Sequence, residues 1–348
     1  MSHSLENLSG AVEQEQVPQG ELSVEGVKMD CASLISKVKE HYKKEVDKSP
    51  EREGTRQLLE VHNDIVLDYA VDISNMLGLD DREKAIAMLA TILHDSAKLD
   101  GENPLNTLIN HHTMGAEIAT ELAQGFVGES VNGYEVTADM VPEIAFAVRR
   151  HQNHPFLIKT FNKGERFEEP QTKADITVYL ADMMANIGFK NIAFRFVNDK
   201  FVLEDLYKSR EKMDDHLNQA LDNVFTGDLG VENLINSVFK DEEGNELENL
   251  KDTLPVQEYM KKMIESAKKI YDRLKDELPK LESEIALKNP RSGGEIYESG
   301  IWNYYAELQG KTGKGAGQKL LVEKINELIV KIGNDLGIDE KTVNSFKM

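Results

Sequence analysis

From Leu34 to about Phe189, apolar residues recur every three to four positions between short polar breaks. This spacing predicts helices near 33–47, 55–77, 82–98, 113–124, 141–152 and 172–190. Pro142 suits a first helical turn, and Gly78 and Gly125 suit helix stops. Residues 1 to about 30 are poor in apolar side chains and rich in Glu, Gln, Ser and Gly, which predicts a flexible acidic tail. Two short hairpins are expected further on. One spans Phe194 to Leu203 around Asn198-Asp199, and the other spans Val238 to Leu247, turning at Glu243-Gly244-Asn245.

After Pro255 an apolar stripe runs through Val256, Tyr259, Met260, Met263, Ile264, Ala267, Ile270, Tyr271, Leu274, Leu278, Leu281 and Ile285, the mark of an amphipathic helix. Pro279 lies inside it and predicts a kink or a division. A last helix is expected near 318–336. The pattern is that of a mainly all-α protein with at most one or two small hairpins. It divides into a tail (1–30), a helical core (31–220) and a helical accessory region (221–348) that could also serve homo-oligomerisation.

Length is consistent with that division, since 348 residues correspond to about two domains. The net charge of −21 opposes bulk binding to nucleic acid or anionic membrane. Cys31 is alone, so no internal disulfide can form, as suits a reducing compartment. No apolar run approaches the roughly 18 residues of a membrane span, and Met1 to Asp30 lacks the apolar stretch of a secretory signal. A cytoplasmic location is therefore expected. The glycine- and lysine-rich stretch Gly310 to Lys319 invites a phosphate-loop reading. Gly315 is followed by Ala316 rather than Lys-Ser/Thr, and no strand precedes it, so a mobile loop is expected instead.

Candidate chemistry lies in the histidines. Six of nine (His62, His94, His111, His112, His151 and His154) fall within 93 residues. His62 continues the stripe Leu58, Ile65, Tyr69, Ile73, and His151 continues Val141, Ile144, Val148. His94 shares a face with Ala87, Ala90, Thr91 and Lys98 on the predicted helix. Asp95 and Asp182 point toward the core as well, and an unpaired buried carboxylate is expensive. A divalent cation removes that cost, and imidazole with carboxylate suits zinc, manganese, iron or nickel. Four histidines and two aspartates could hold two ions with one aspartate bridging.

The order Val61-His62, Leu-His94-Asp95-Ser-Ala-Lys98, His111-His-Thr-Met-Gly115-Ala-Glu-Ile-Ala, Arg150-His151 and Tyr-Leu-Ala-Asp182 resembles the HD-domain superfamily of metal-dependent phosphohydrolases. The resemblance covers about residues 55–190. It implies an HD helical bundle in which His62, His94, Asp95 and Asp182 ligate one metal. Asp95 would bridge to a second, completed by His111 and His151. His112 is the alternative to His111, Asp175 the alternative to Asp182, and His154 is expected beyond the ligands. The resemblance further implies one or two divalent transition metals (iron, manganese, nickel, cobalt or zinc). It implies hydrolysis of a nucleotide or other small phosphorylated metabolite by metal-bound hydroxide, since a metal lowers the pKa of water from 15.7 to about 7. Asp95 and Lys98 would be catalytic, with Lys98 stabilising developing charge. Arg149, Arg150 and Lys159 are weaker phosphate-binding candidates.

The match has limits. Gln152-Asn153-His154-Pro155 lacks the His, Glu and Gly-Tyr-Pro signature of the cyclic-dinucleotide branch. The polar stretch Gly125 to Asp139 reads either as a cover over the site or as a surface loop. Two other classes stay open at this level: a di-iron oxygenase with the same ligand set, and a nucleotide-binding sensor without turnover.

Overall fold

A computed structural model describes residues 22–101, 104–153, 158, 162–163, 166–185, 238–240, 244–288 and 316–347. Its helices are α1 (Val24–Asp30), α2 (Ala32–Lys48), α3 (Glu53–Met76), α4 (Asp81–Leu93), α5 (Pro104–Gln124), α6 (Met140–Arg150), α7 (Lys173–Ala185), α8 (Leu254–Lys288), α9 (Ala316–Asp335) and α10 (Glu340–Ser345). The expected mainly helical architecture is what the chain adopts. Among the described residues no helix is long and apolar enough to cross a membrane.

The core is arranged around α4, which touches α3, α5, α6 and α7, while α5 lies along α6 and α3 along α7. The sequence accounts for this placement. Every residue from Lys84 to Leu93 is buried, as expected of a helix covered on all sides. Asp80 and Glu83 form a reciprocal capping box at its start. Arg82 then binds Glu143 at 2.6 and 2.9 Å and Asp139 at 2.9 Å, tying the α4 entrance to α6. The α3 exit turns at Gly78, whose φ of +58° favours glycine, and Leu79 N–H returns to Ser74 O.

Several boundaries differ from the sequence pattern, each for a local reason. Residues 24–30, expected in the tail, form α1, because Ser23 caps it and Leu22 and Val27 are buried in the core. The helix expected over 82–98 ends at Leu93. Residues 94–99 form successive turns with Ser96 N–H on Leu93 O and Lys98 N–H on Asp95 O. Helix α5 starts nine residues earlier than the spacing predicts. The Gly125 to Asp139 stretch contains a hairpin of β1 (Ser130–Val131) and β2 (Tyr134–Glu135). Its turn, Asn132-Gly133, has positive φ at both positions, the strongest short hairpin signal in the segment. It docks on α1, where Asn132 N–H donates to Asp30 at 2.7 Å.

The hairpin expected over 238–247 reduces to one bridge between Lys240 and Glu246, with Gly244 at φ +84°. The one expected over 194–203 lies outside the described residues. Pro279 does not divide α8, which is helical from Leu254 to Lys288. Ala316 to Lys319, read as loop, open α9. The C-terminal helices meet the core at Asp72 of α3, which accepts from Tyr259 of α8 at 3.1 Å and from Lys341 of α10 at 2.5 Å. Helices α9 and α10 approach closely at Gly333, where a Cβ would collide with Val343.

Candidate metal centre

Two helix ends build the floor of the site by the same device. His94 follows the last residue of α4 and His151 the last residue of α6, where backbone carbonyls lack intrahelical partners. Each imidazole supplies one. Nδ1 of His94 donates to Thr91 O at 2.7 Å, and Nδ1 of His151 donates to Val148 O at 2.5 Å. With the proton on Nδ1, a neutral ring presents the Nε2 lone pair inward, the arrangement that orients metal-ligating histidines. Burial holds both rings neutral. It lowers the His94 pKa below 6.5 and takes that of His151 to about 4, with His94 adding to the latter effect.

Helix α3 brings His62 to the same point, α5 brings His111 and α7 brings Asp182. Helix α7 is buried from Ala174 to Ala185 except at Asp182, whose 13% exposed side chain marks a narrow opening in an otherwise closed helix. His62 Nε2 lies 3.1 Å from Asp182 Oδ1, 3.4 Å from His94 Nε2 and 3.5 Å from Asp95 Oδ2. His111 Nε2 lies 3.1 Å from His151 Nε2 and 3.5 Å from Asp95 Oδ1. The six residues thus form two triads, His62–His94–Asp182 and Asp95–His111–His151, each with ligand atoms within 4.8 Å of one another. Asp95 joins them, with Oδ2 facing the first and Oδ1 the second.

This donor set fits cations. Asp95 is fully buried, yet its Oδ1 has no hydrogen-bond partner, and the nearest nitrogens are those of His111 at 3.5 Å and His151 at 3.8 Å. Because His151 Nε2 carries a lone pair, it cannot donate to that oxygen, and a cation placed there would satisfy it. The imidazole separations agree, since bonds of about 2.1 Å to a common ion put neighbouring ligands about 3.0–3.4 Å apart. Burial opposes charge on Asp95 and on Asp182. The polar surroundings of His94, Lys98, His62 and His111 outweigh it for Asp95, and the hydrogen bond from His62, with His94 and Lys98 nearby, does so for Asp182. Both carboxyls are held below the usual range.

Lys98 reaches the site from the turn rather than from a helix face. Its Nζ lies 2.5 Å from Asp95 Oδ2. Burial favours the neutral amine, but Asp95 and Asp182 raise its pKa above 10.5. The turn is fixed beyond Lys98 as well. Arg52 binds Leu99 O at 2.8 Å, Thr107 binds Asp100 O at 2.5 Å, and His41 binds Asp100 Oδ1 at 2.9 Å. Sequence reasoning did not single out these three, because each acts on the backbone or side chain of the turn from outside it, Arg52 and His41 from 47 and 59 positions away. Gly115 lets α5 pass the turn closely; a Cβ there would touch His94 O and Val148 at 3.4 Å.

The alternatives are separated by geometry. His112 turns away from the triads, its ring edge against Phe167 with centroids 5.1 Å apart. Asp175, seven residues before Asp182, is occupied elsewhere. It accepts from Arg150 at 2.9 Å and from Gln171 and Thr172 N–H at 3.0 and 3.3 Å. Arg150 also binds Glu168 at 2.9 Å, as does Arg149, so both arginines are engaged in ion pairs instead of facing the triads. His154 and Lys159 lie outside the described residues. Asp175→Ala should therefore destabilise the fold by about 3 kcal/mol, because it removes the buried carboxylate that pairs with Arg150 and accepts from the Gln171 and Thr172 N–H groups, yet leave metal binding intact. Asp182→Ala should lose one cation with little loss of apo stability. Urea unfolding with metal analysis of the two variants checks the pair.

The pH response of the metal-free protein follows from the buried histidines. His151 and His112 titrate near 4, chiefly through burial, whereas an unfolded chain titrates near 6.5. Between these values the unfolded state binds more protons, so stability should fall as pH drops from about 6.5 to 4. His41 acts oppositely, since Asp100 raises its pKa and its contribution fades as pH rises, but it is a single half-exposed group. Chelated protein melted across pH 4–7 should show the net loss on acidification; a flat profile would contradict it.

No curated protein and no solved structure matches the chain. The family model described as HD domain matches residues 62–187. That span begins at His62 and contains both triads with the bridging aspartate, and residues 62–187 are an HD domain.

Proposed function

We propose that the chain is a metal-dependent phosphohydrolase acting on a small phosphate ester, most simply a nucleotide. The observation that carries this reading is the bridging geometry of Asp95, whose two oxygens face two separate imidazole-containing triads. His62, His94, Asp182 and Asp95 Oδ2 would hold one divalent cation, and His111, His151 and Asp95 Oδ1 a second. Bound there, such cations would supply Lewis acidity and a lowered pKa for water.

The chain's own residues do the rest. Thr91 and Val148 carbonyls keep His94 and His151 in the tautomer that donates its Nε2 lone pair. Burial at Asp95 excludes water from the shared carboxylate and strengthens its interaction with cations. Lys98, at the more exposed edge, is placed to meet the non-bridging oxygens of a phosphoryl group as negative charge accumulates on them. An anionic substrate must overcome the overall charge of −21, so Lys98 and the cations together provide the local positive field.

The test is a screen of the purified full-length chain, loaded in turn with manganese, cobalt, nickel, zinc and iron. Substrates would be nucleotides and phosphate monoesters and diesters, each assayed with and without oxygen. Release of phosphate or nucleoside that requires metal and persists without oxygen is expected. A product that forms only with iron and oxygen would replace the reading by the oxygenase one. Tight nucleotide binding with no product under any metal would replace it by the sensor.

A further inference from the structure

We infer that the two halves of this centre exchange their cations at different rates: the Asp95–His111–His151 half encloses a cation that leaves only when the bundle opens, and the His62–His94–Asp182 half faces solvent, exchanges freely and meets the substrate. The inference rests on the two-cation reading above.

The observation is an asymmetry of burial across a single carboxylate. On the Oδ1 side, His111 and His151 are 2% and 1% exposed, and Asp95 itself is 0% exposed. On the Oδ2 side, His94 is 0% exposed, but His62 and Asp182 are 14% and 13% exposed and the neighbouring Lys98 is 19% exposed. Water or a chelator must reach an ion to replace its ligands. On the first side, the ligands come from α5 and from the end of α6, and these helices lie against each other across the Gly115–Val148 contact. Release there requires α5 and α6 to part, a local unfolding event. On the second side His94 is enclosed as well, but His62 and Asp182 already reach the surface.

Lys98 adds a second difference. Its ammonium sits 2.5 Å from Asp95 Oδ2, the oxygen that faces the open half. It neutralises that oxygen when no cation is present, and an arriving cation must share the carboxylate with it. The open half is therefore the one whose affinity Lys98 weakens. A substrate phosphate that draws Lys98 onto its own oxygens would relieve the competition and tighten the outer ion, so substrate and outer cation should bind cooperatively.

The experiment uses the full-length protein loaded with zinc, then exposed to excess chelator while bound metal is followed by mass spectrometry. Two equivalents are expected, one leaving at least about tenfold more slowly than the other and accelerated by urea below the unfolding midpoint. His62→Ala or Asp182→Asn should abolish the fast phase alone, and His111→Ala or His151→Ala the slow phase alone. Lys98→Met should retain both equivalents and slow the fast phase roughly tenfold, leaving the other unchanged. Release in a single phase, or loss of the slow phase in His62→Ala, overturns the inference. A single bound equivalent would end the two-cation reading instead. If that equivalent survives His62→Ala but not His151→Ala, the enclosed half is still the retentive one; the reverse result overturns it.

Discussion

Asp95→Ala should leave the protein folded, without either cation and without measurable turnover. The expectation follows from geometry, since this one side chain supplies an oxygen to each triad, at 3.4 and 3.5 Å from His94 and His62 and at 3.5 and 3.8 Å from His111 and His151. Its removal leaves four imidazoles and Asp182 with a single anionic donor between them, and it frees Lys98 to repel any arriving ion. Turnover should fall by at least about 10³, the scale of removing the groups that hold a catalytic metal. The thermal behaviour is the stricter check. In the wild type, cations that bind only the folded state should raise the melting temperature. In Asp95→Ala the same additions should produce no shift. The apo variant should melt close to the apo wild type, because the lost Asp95–Lys98 ion pair is offset by relief of a buried, unsatisfied Oδ1. A metal-dependent shift that persists in this variant would remove Asp95 from the centre.

The helical class was legible in the sequence for a physical reason, and so were most of the residues that the fold brings together at this point; His111 came from the resemblance to HD domains. His62 and His151 continue apolar stripes, and Asp95 and Asp182 are acids where the pattern demands burial, so each violates the pattern in a way only a ligand or a partner repairs. What was not legible depended on contacts between distant segments. The early end of α4 at Leu93 is set by turn hydrogen bonds and by anchoring of the turn through Arg52, Thr107 and His41, and none of these is visible as periodicity. The occupation of Asp175 and Arg150 by each other joins α6 to α7 over 25 positions, and the sequence left both among the candidates, one as a ligand and one as a phosphate contact. Asn132-Gly133 was a readable turn signal within a stretch whose polarity masked it. The first turn of α1 was obscured by the acidic composition around it, although Leu22 and Val27 supply its buried contacts.

Lys98→Ala should keep both cations yet lower turnover by about 10²–10³, the usual effect of deleting one donor to developing charge. The lysine ammonium is not a metal ligand at neutral pH, so the triads stay intact. A solvated lysine at a helix end would predict rates near wild type, but its side chain is 19% exposed and in contact with Asp95. The remaining rival is that Lys98 serves only to neutralise Asp95 when the site lacks cations. The two roles move the measurements in different directions. A mere counter-ion, once removed, leaves a site that binds its outer cation more tightly and turns substrate over at the same rate per bound metal. A group acting on the phosphoryl oxygens gives the same tighter binding together with a lower kcat. Lys98→Arg should then recover part of kcat, because it restores the positive charge, but not all of it, because the planar guanidinium cannot occupy the ammonium position beside Asp95 Oδ2. Metal content and kcat measured together on the Ala and Arg variants decide between the two, and kcat per metal ion unchanged in Lys98→Ala would leave Lys98 with the electrostatic role alone.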